Sequence, residues 1–572
     1  MQLVRRFRIP ALFCALAVLV CELIALPYAN MGIGDDGPYV LMARHLADAH
    51  HIAYNGWATA MLGWQLYLAA ALIKLFGFSF TTVRMSTLLV AVATAFILQR
   101  VFVHAGITER NATIGTLVLV LSPLYLMLSV TFMSDIFGLS AVVLCLYGCL
   151  RALQSSTTRA AIGWLCFAVT ANAICGTSRQ IAWLGILVMV PSTLWLLRAQ
   201  RRTLMAGTMV TFVGALFILA CVQWLNHQPY AKPEHLLPTT FPVGRMLSEL
   251  FRIFLDIPFL LLPVMALFLP EIRKSNRRSG AVIAVLSGGY ILAAIHWGHS
   301  HPGFLLEPTL GDWVNVHGIP EVMYLQGTPP IFIHRGIQVL LTIVSIGGLI
   351  GVIASLLRTH RASSVSGPSR GISWNQLGVL LGPFAIANVL LLIPRAGGWL
   401  YERYTLVLLV VALLCLLRYY EERIHQWLPL ASVFLVGIAA IYGVTVTHNM
   451  FALYRARLAI AAEIRTAGTP DTSVDNGWEY NFGVEIEHTG FINDQRIVLP
   501  AHAYIPASPL PPGTCPMFDS DDTPHIRPLY GISFDPNACY GTGPFAPVHY
   551  SRWPSSTPGT LYVVRYISPS KS

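Results

Sequence analysis

Apolar runs long enough to cross a bilayer core, about 17–25 residues each, recur from Ile9 to about position 446 with short polar or basic stretches between them. The pattern predicts roughly thirteen spans, near 9–27, 80–103, 112–130, 135–153, 160–177, 181–197, 204–225, 251–270, 280–297, 335–357, 373–393, 402–418 and 428–446. The spans read as apolar through their middles, with charges at their ends. After the first span, Tyr39, Val40, Leu41, Ala43, Leu46 and Ala47 recur at helical spacing. Leu62 to Phe76 is a second apolar stretch, short for a span and interrupted by Gln65 and Lys74. Both predict juxtamembrane helices, with Trp57, Trp64 and Tyr67 at headgroup level.

Past position 446 the pattern changes. Pro- and Gly-rich stretches alternate with short β-like runs, Arg496–Leu499 and Leu561–Ile567. The expected organisation is a membrane domain over 1–446 and a small α/β domain over 447–572. Cys515 and Cys539 lie in that tail, outside the cytoplasm on this topology, and suggest one disulfide. Asp519-Ser520-Asp521-Asp522 matches no calcium-loop spacing and reads as a solvated loop.

Composition agrees with the spans. The 572 residues are 55% hydrophobic and 11% charged, with mean hydropathy +0.61, against about 25% charged in soluble domains. The net charge of +10 does not point to nucleic acid, because the basic residues fall in every second loop. Those loops hold Arg110, Arg151 and Arg159, Arg198 to Arg202, Arg273 to Arg278, Arg358 to Arg370, and Arg418 with Arg423. The positive-inside rule makes them cytoplasmic. The basic N-terminus before an apolar run reads as an uncleaved signal anchor. The expected location is a bacterial inner membrane, with the N-terminus cytoplasmic and the tail outside. No zinc-ligand spacing or nucleic-acid motif is present, and 363–370 reads as a flexible linker.

Within this frame the chemistry gathers on the outer side. Asp35-Asp36 follow the first span, where one Asp would serve as a helix N-cap with Pro38 in the first turn. Asp135 lies at the outer end of the fourth span, where it could also be a cap. Arg179 lies in the turn Thr177–Gln180 and could equally snorkel to headgroups. The remaining outer loops add Lys232, Glu234, His235 and Arg245, then His299, His301, Glu307, Asp312 and His334, then Arg395, Glu402 and Arg403. Arg403 could be an interfacial anchor, and His299 or His301 could join a carboxylate on zinc. Ionisable groups at membrane depth are functional candidates by default.

Asp35-Asp36, the helix through Arg44-His45-Leu46, Tyr54-Asn55-Gly56, Leu75-Phe76-Gly77 and then Arg84 resemble the opening of C-type (GT-C) membrane glycosyltransferases. Ser122-Pro123 to Ser134-Asp135 is similar to the second acidic motif of that family, and Glu402-Arg403-Tyr404 to its late Arg-Tyr signature. Within it, protein O-mannosyltransferases and bacterial aminoarabinose lipid A transferases are the nearest in pattern. The resemblance implies an all-α polytopic enzyme that moves a sugar, with inversion, from a polyprenyl-phosphate donor to a lipid, glycan or protein hydroxyl. It implies Asp35 as general base, with Asp36 and Asp135 in the same catalytic group. Arg179, Lys232 and Arg403 would hold the lipid phosphate. No cofactor is required, no metal ligand is assigned, and a divalent cation is possible. The segment Trp57–Met61 lacks the acid that the aminoarabinose transferases carry there. The alternative is a multi-spanning transporter or flippase of a lipid-linked sugar, which would set polar groups at the midplane of its spans rather than at their ends.

Overall fold

Helical backbone coincides with each of the predicted apolar stretches. In the computed structural model the described residues are 8–233, 241–274, 277–298, 305–320, 322–358, 371–397 and 400–568. The linker at 363–370 and the side chains of Glu234, His235, His299 and His301 lie outside them.

In chain order the helices are α1 (Ile9–Ala25), α2 (Asp36–Ala49), α3 (Gly63–Phe76), α4 (Phe80–His104), α5 (Glu109–Val120), α6 (Pro123–Ser129), α7 (Ser134–Leu153) and α8 (Thr158–Cys175). Then come α9 (Val190–Leu196), α10 (Arg201–Asn226), α11 (Val243–Leu260), α12 (Leu262–Met265), α13 (Leu269–Arg273), α14 (Arg277–Gly298), α15 (Arg335–Arg358), α16 (Trp374–Arg395), α17 (Leu406–Arg423), α18 (Leu430–Thr466) and α19 (Trp478–Thr489). By length and composition, eight helices among the described residues can cross a membrane, or ten if each of two bent pairs is one span. The protein is a multi-pass membrane protein. Local sequence sets several helix starts. Ser79, Ser122 and Thr157 each accept a backbone N–H of the first turn, and Ser373 with Gln376 forms a capping box.

Three predicted spans are not single rods. The run at 112–130 breaks at Ser122-Pro123, and its two helices meet at 67°. Proline lacks the N–H that would continue the ladder, and Ser122 restarts it. The run at 251–270 begins earlier, at Val243, and bends by 71° before Leu262-Pro263. The stretch 181–197 passes from 3₁₀ through π to α geometry. Buried Asn172 causes this by entering the ladder. Its amide donates to Ala141 and Ala182 carbonyls and its oxygen accepts from Ile186 N–H. One ionisable group at a span end is sealed inside the protein: Glu22, in the last turn of α1, is buried and accepts from Ser129.

The tail differs from its expected outline in three ways. Helix α18 runs unbroken through 446 to Thr466, so the strands begin well beyond that boundary. A four-stranded sheet follows in the order β1 (Val474–Asp475), β2 (Tyr530–Ser533), β4 (Gly559–Arg565), β3 (Val548–Tyr550), parallel only between β1 and β2. The run 561–567 is largely β4, but Arg496–Leu499 is not a strand. Asp494 accepts from both the backbone and the side chain of Arg496, which closes a local turn instead. Asp519 is not solvated. It is buried, accepts from Asn481, and its backbone carbonyl closes the turn to Asp522 and Thr523. Cys515 and Cys539 are bonded, with Cα atoms 5.9 Å apart.

The tail is seated on the membrane helices through polar contacts as well as apolar ones. His448 of α18 stacks on Trp553 at 3.8 Å, and Asn449 exchanges two hydrogen bonds with the Trp553 backbone. Gln326, from the loop before α15, bonds the backbone of Ile532 and Phe534 at the sheet edge. Tail and membrane helices share one hydrophobic core.

Candidate active site

Asp35 and Asp36 part company at the start of α2. Gly34, at φ 57°, turns the chain just before them. Neither carboxylate caps the helix, contrary to the N-cap expectation. Asp36 is fully buried, and all its contacts are internal. Its oxygens accept from Arg84 at 2.8 and 3.0 Å, from Ile33 N–H at 2.8 Å and from Phe132 N–H at 3.0 Å. Arg84 donates in addition to the Ala29 and Met31 carbonyls. This clamp ties the loop after α1 to α4 and to the turn before α7.

Asp35 faces the other way, into a cavity of about 140 Å³, ample when one water needs only ~10–15 Å³ of the same measure. Its Oδ1 accepts from Trp57 Nε1 at 3.0 Å and its Oδ2 from Arg403 Nη2 at 3.0 Å. The polar wall continues with Asp135, Arg179, Gln180, Arg395, Arg403 and Tyr404. Leu139 and Val142 of α7, Leu392 of α16, and Leu406 and Val407 of α17 add apolar surface, with Asn388 of α16 among them. Charged and apolar side chains thus line the same cavity, the apolar ones contributed mainly by α7, α16 and α17.

Arg179 pairs with Asp135, neither of which caps or snorkels alone. It lies across α7 at Gly138, where a Cβ would come 3.0–3.1 Å from its side chain. The Tyr404 ring collects three guanidiniums, with Arg179, Arg395 and Arg403 at 5.0, 5.2 and 5.7 Å from its centre. Arg403 is buried, so it is no interfacial anchor, and its Nε faces Asp312 Oδ2 at 3.4 Å, an ion pair without hydrogen-bond geometry. One guanidinium thus stands between two carboxylates. Burial drives the Asp312 carboxyl well above the usual carboxylate range, against the pull of Arg403.

Glu402 places Asp312. Its carboxylate accepts the backbone N–H groups of Asp312, Trp313 and Val314 at 3.3, 2.5 and 2.8 Å. The adjacent pair Glu402-Arg403 thus repeats the division of labour of Asp36-Asp35, one residue fastening a loop and its neighbour facing the cavity.

Lys232 does not line the cavity. It is buried beside it, 3.0 Å from Asp494 and 3.8 Å from the centre of the Trp57 ring. Burial lowers its pKa to about 8, with Asp494 pulling the other way. Glu307 lies apart from the cavity, accepting from Thr309 N–H. His334 and Arg245 do not line it either. Trp57 and Trp64 are not headgroup anchors, because their indole N–H groups are spent inside, on Asp35 and on the Cys175 carbonyl. Tyr67 is exposed. Sequence reading missed Asp494 entirely and put Trp57 at the membrane surface. The signal available for Trp57 was an aromatic in a loop that also carried Asn55 and Gly56. Among the described residues no group of three or more His, Cys, Asp or Glu side chains could hold a metal ion.

No protein-family model matches the chain, and no curated protein does. Among solved structures it is similar to ArnT from Cupriavidus metallidurans in the apo state, at 13% identity over 96% of each chain with a TM-score of 0.41. The Archaeoglobus fulgidus oligosaccharyltransferase in the apo form matches at 15% identity over 90% of this chain and 64% of the other, TM-score 0.38. The S. cerevisiae protein O-mannosyltransferase Pmt1–Pmt2 complex bound to the sugar donor matches at 13% identity, with 38% of this chain covering 32% of that one, TM-score 0.30.

Proposed function

We propose that this protein is a membrane glycosyltransferase of the C type, which moves a sugar from a polyprenyl-phosphate donor to an acceptor hydroxyl on the extracytoplasmic face. The observation that carries the reading is the mixed lining of the cavity. Asp35 and three guanidiniums gathered on the Tyr404 ring line it together with apolar side chains of α7, α16 and α17. That arrangement suits a substrate with an anionic head and a hydrocarbon tail. Guanidinium recognises phosphate oxygens in pairs and keeps its charge at any working pH.

In the proposed reaction the acceptor oxygen attacks the anomeric carbon from the face opposite the phosphate, and configuration inverts. The new C–O bond forms as the bond to the phosphate oxygen breaks, and the leaving lipid phosphate takes that electron pair. Asp35 takes the hydroxyl proton. Its bonds to Trp57 and Arg403 use one direction on each oxygen, and a carboxylate oxygen has a second lone pair to offer. Arg179, Arg395 and Arg403 offset the charge that grows on the phosphate. Asp135 orients Arg179, and Asp36 holds the loop rather than the substrate. The basic loops, read as cytoplasmic, support an outward-facing cavity.

The test is transfer of radiolabel from a polyprenyl-phosphate sugar in membranes containing the wild-type chain or Asp35→Asn. The expected result is a rate loss of roughly 10²–10⁴-fold at equal folded protein. Undiminished transfer by Asp35→Asn would remove Asp35 as the base.

A further inference from the structure

The proposed reaction leaves Lys232 without a task, although an ammonium buried to this degree is costly to keep. Its surroundings name one. Lys232 stands on a three-way seam of backbone hydrogen bonds. Its N–H donates to the Ala58 carbonyl and Gly56 N–H donates to Tyr230. Tyr230 N–H donates in turn to Leu499, and Ile492 N–H to Asn55. The loop before α3, the loop after α10 and the tail are therefore fastened to one another next to Asp35.

The side chains continue the path. Asp494 of the tail, itself buried, holds Lys232 Nζ at 3.0 Å and takes Arg496 on the same carboxylate. Lys232 Nζ lies 3.8 Å over the Trp57 ring. On the rim of that ring, Nε1–H donates to Asp35 Oδ1. Trp478 and Phe482 of α19 pack on the same indole, at 5.5 and 4.8 Å between centres. The indole is thus held by a cation on its face, by tail aromatics and by Asp35 at its N–H.

We infer that Lys232 and Asp494 are positioning residues that hold Trp57 so that its indole N–H fixes the Asp35 carboxylate, which makes the C-terminal region part of the active site. The inference rests on the reading of Asp35 as base. Trp57 on Oδ1 and Arg403 on Oδ2 pin the carboxylate plane from two sides. Losing one donor frees rotation about the Cβ–Cγ bond and spreads the base over orientations that do not meet the acceptor. Trp57 bonds Asp35 and none of the arginines proposed to face the phosphate, so donor binding is expected to change little. The charged groups around Lys232 are Asp494, Arg496 and Asp522 from the tail and Asp35 from the membrane domain.

Two measurements on the full chain in lipid nanodiscs test this. With ¹⁵N-labelled tryptophan, the indole resonance missing in Trp57→Phe belongs to Trp57. It is expected to move in Lys232→Met, Asp494→Asn and Asp35→Asn, and to return toward its wild-type position in Lys232→Arg. In transfer from a polyprenyl-phosphate sugar, Lys232→Met and Trp57→Phe are expected to lower kcat by about tenfold to hundredfold with donor KM unchanged, and Lys232→Arg to recover most of it. An indole resonance that ignores Lys232→Met overturns the inference. So does a rise in donor KM at constant kcat, which would make Lys232 a phosphate ligand. If Lys232→Met does not fold, Trp57→Phe and Lys232→Arg decide the question in its place. No transfer by the wild-type chain, with the indole shifts as expected, refutes the glycosyltransferase reading and supports the coupling.

Discussion

Asp36 with Arg84 and Asp35 with Arg403 are two acid–arginine pairs that begin one residue apart, and they are built on opposite terms. In the first, four donor contacts cover both oxygens of Asp36, and Arg84 gives two further N–H groups to backbone carbonyls. In the second, one guanidinium is divided between Asp35 and Asp312, Arg403 Nε has no hydrogen-bonding partner among the described residues, and a cavity adjoins. A saturated buried pair has nothing left to offer a ligand and serves the fold. An under-supplied pair facing space has capacity to spare, at a cost in stability that chemistry can use.

The comparison is open to attack by substitution. Arg84→Met leaves the buried Asp36 carboxylate without its counter-charge and is expected to cost about 3–5 kcal/mol, read as a lower melting temperature and faster proteolysis. Arg403→Lys keeps the charge but loses the fork that reaches Asp35 and, in the proposed reaction, the lipid phosphate. A fall in transfer of about tenfold to hundredfold with little change in melting is the expected outcome.

Asp494 gives a pH test of the seat beneath Lys232. Burial alone would raise its pKa, but the hydrogen bonds of Arg496 and the charge of Lys232 outweigh it and hold the carboxyl at about 2, against the ordinary 3.8. A depressed acid stabilises the fold above its unfolded pKa and loses that contribution as pH falls through the folded one. Lys232, with a pKa of about 8, stays charged throughout this window. Acidifying from about pH 4 to 2 should remove about 2 kcal/mol in the wild type and much less in Asp494→Asn, as followed by thermal melting. The smallest effect belongs to Gly138→Ala. The added methyl presses on the Arg179 side chain at 3.0–3.1 Å and should raise donor KM a few-fold, about 1 kcal/mol or less.

Much of this was legible in the sequence, for physical reasons. A bilayer demands long apolar runs, so every predicted stretch became helix, and charges left among them were few enough to stand out. Asp35, Asp135, Arg179 and Arg403 do meet at one cavity. Breaks inside the runs were harder, because Pro123 and Pro263 carry the signal but hydropathy averages over it. The buried amide of Asn172, which distorts 180–189, is a tertiary contact that local pattern does not record. Roles within adjacent pairs were harder still. Asp35 and Asp36 are the same residue type on the same turn, and only Arg84, 48 positions on, decides which one is sealed. Trp57 reads as a headgroup aromatic until Asp35 and Lys232 occupy its rim and face.

The most direct measurement sets Asp35→Asn beside Asp36→Asn in one membrane preparation, with melting and sugar transfer from the lipid-phosphate donor scored per folded molecule. Asp35→Asn should melt close to the wild type and transfer roughly 10²–10⁴-fold more slowly, while Asp36→Asn should melt lower and its folded fraction transfer near the wild-type rate. The reverse pattern, with Asp36→Asn folded but inactive and Asp35→Asn active, would contradict the assignment of Asp35 to the chemistry and Asp36 to the fold.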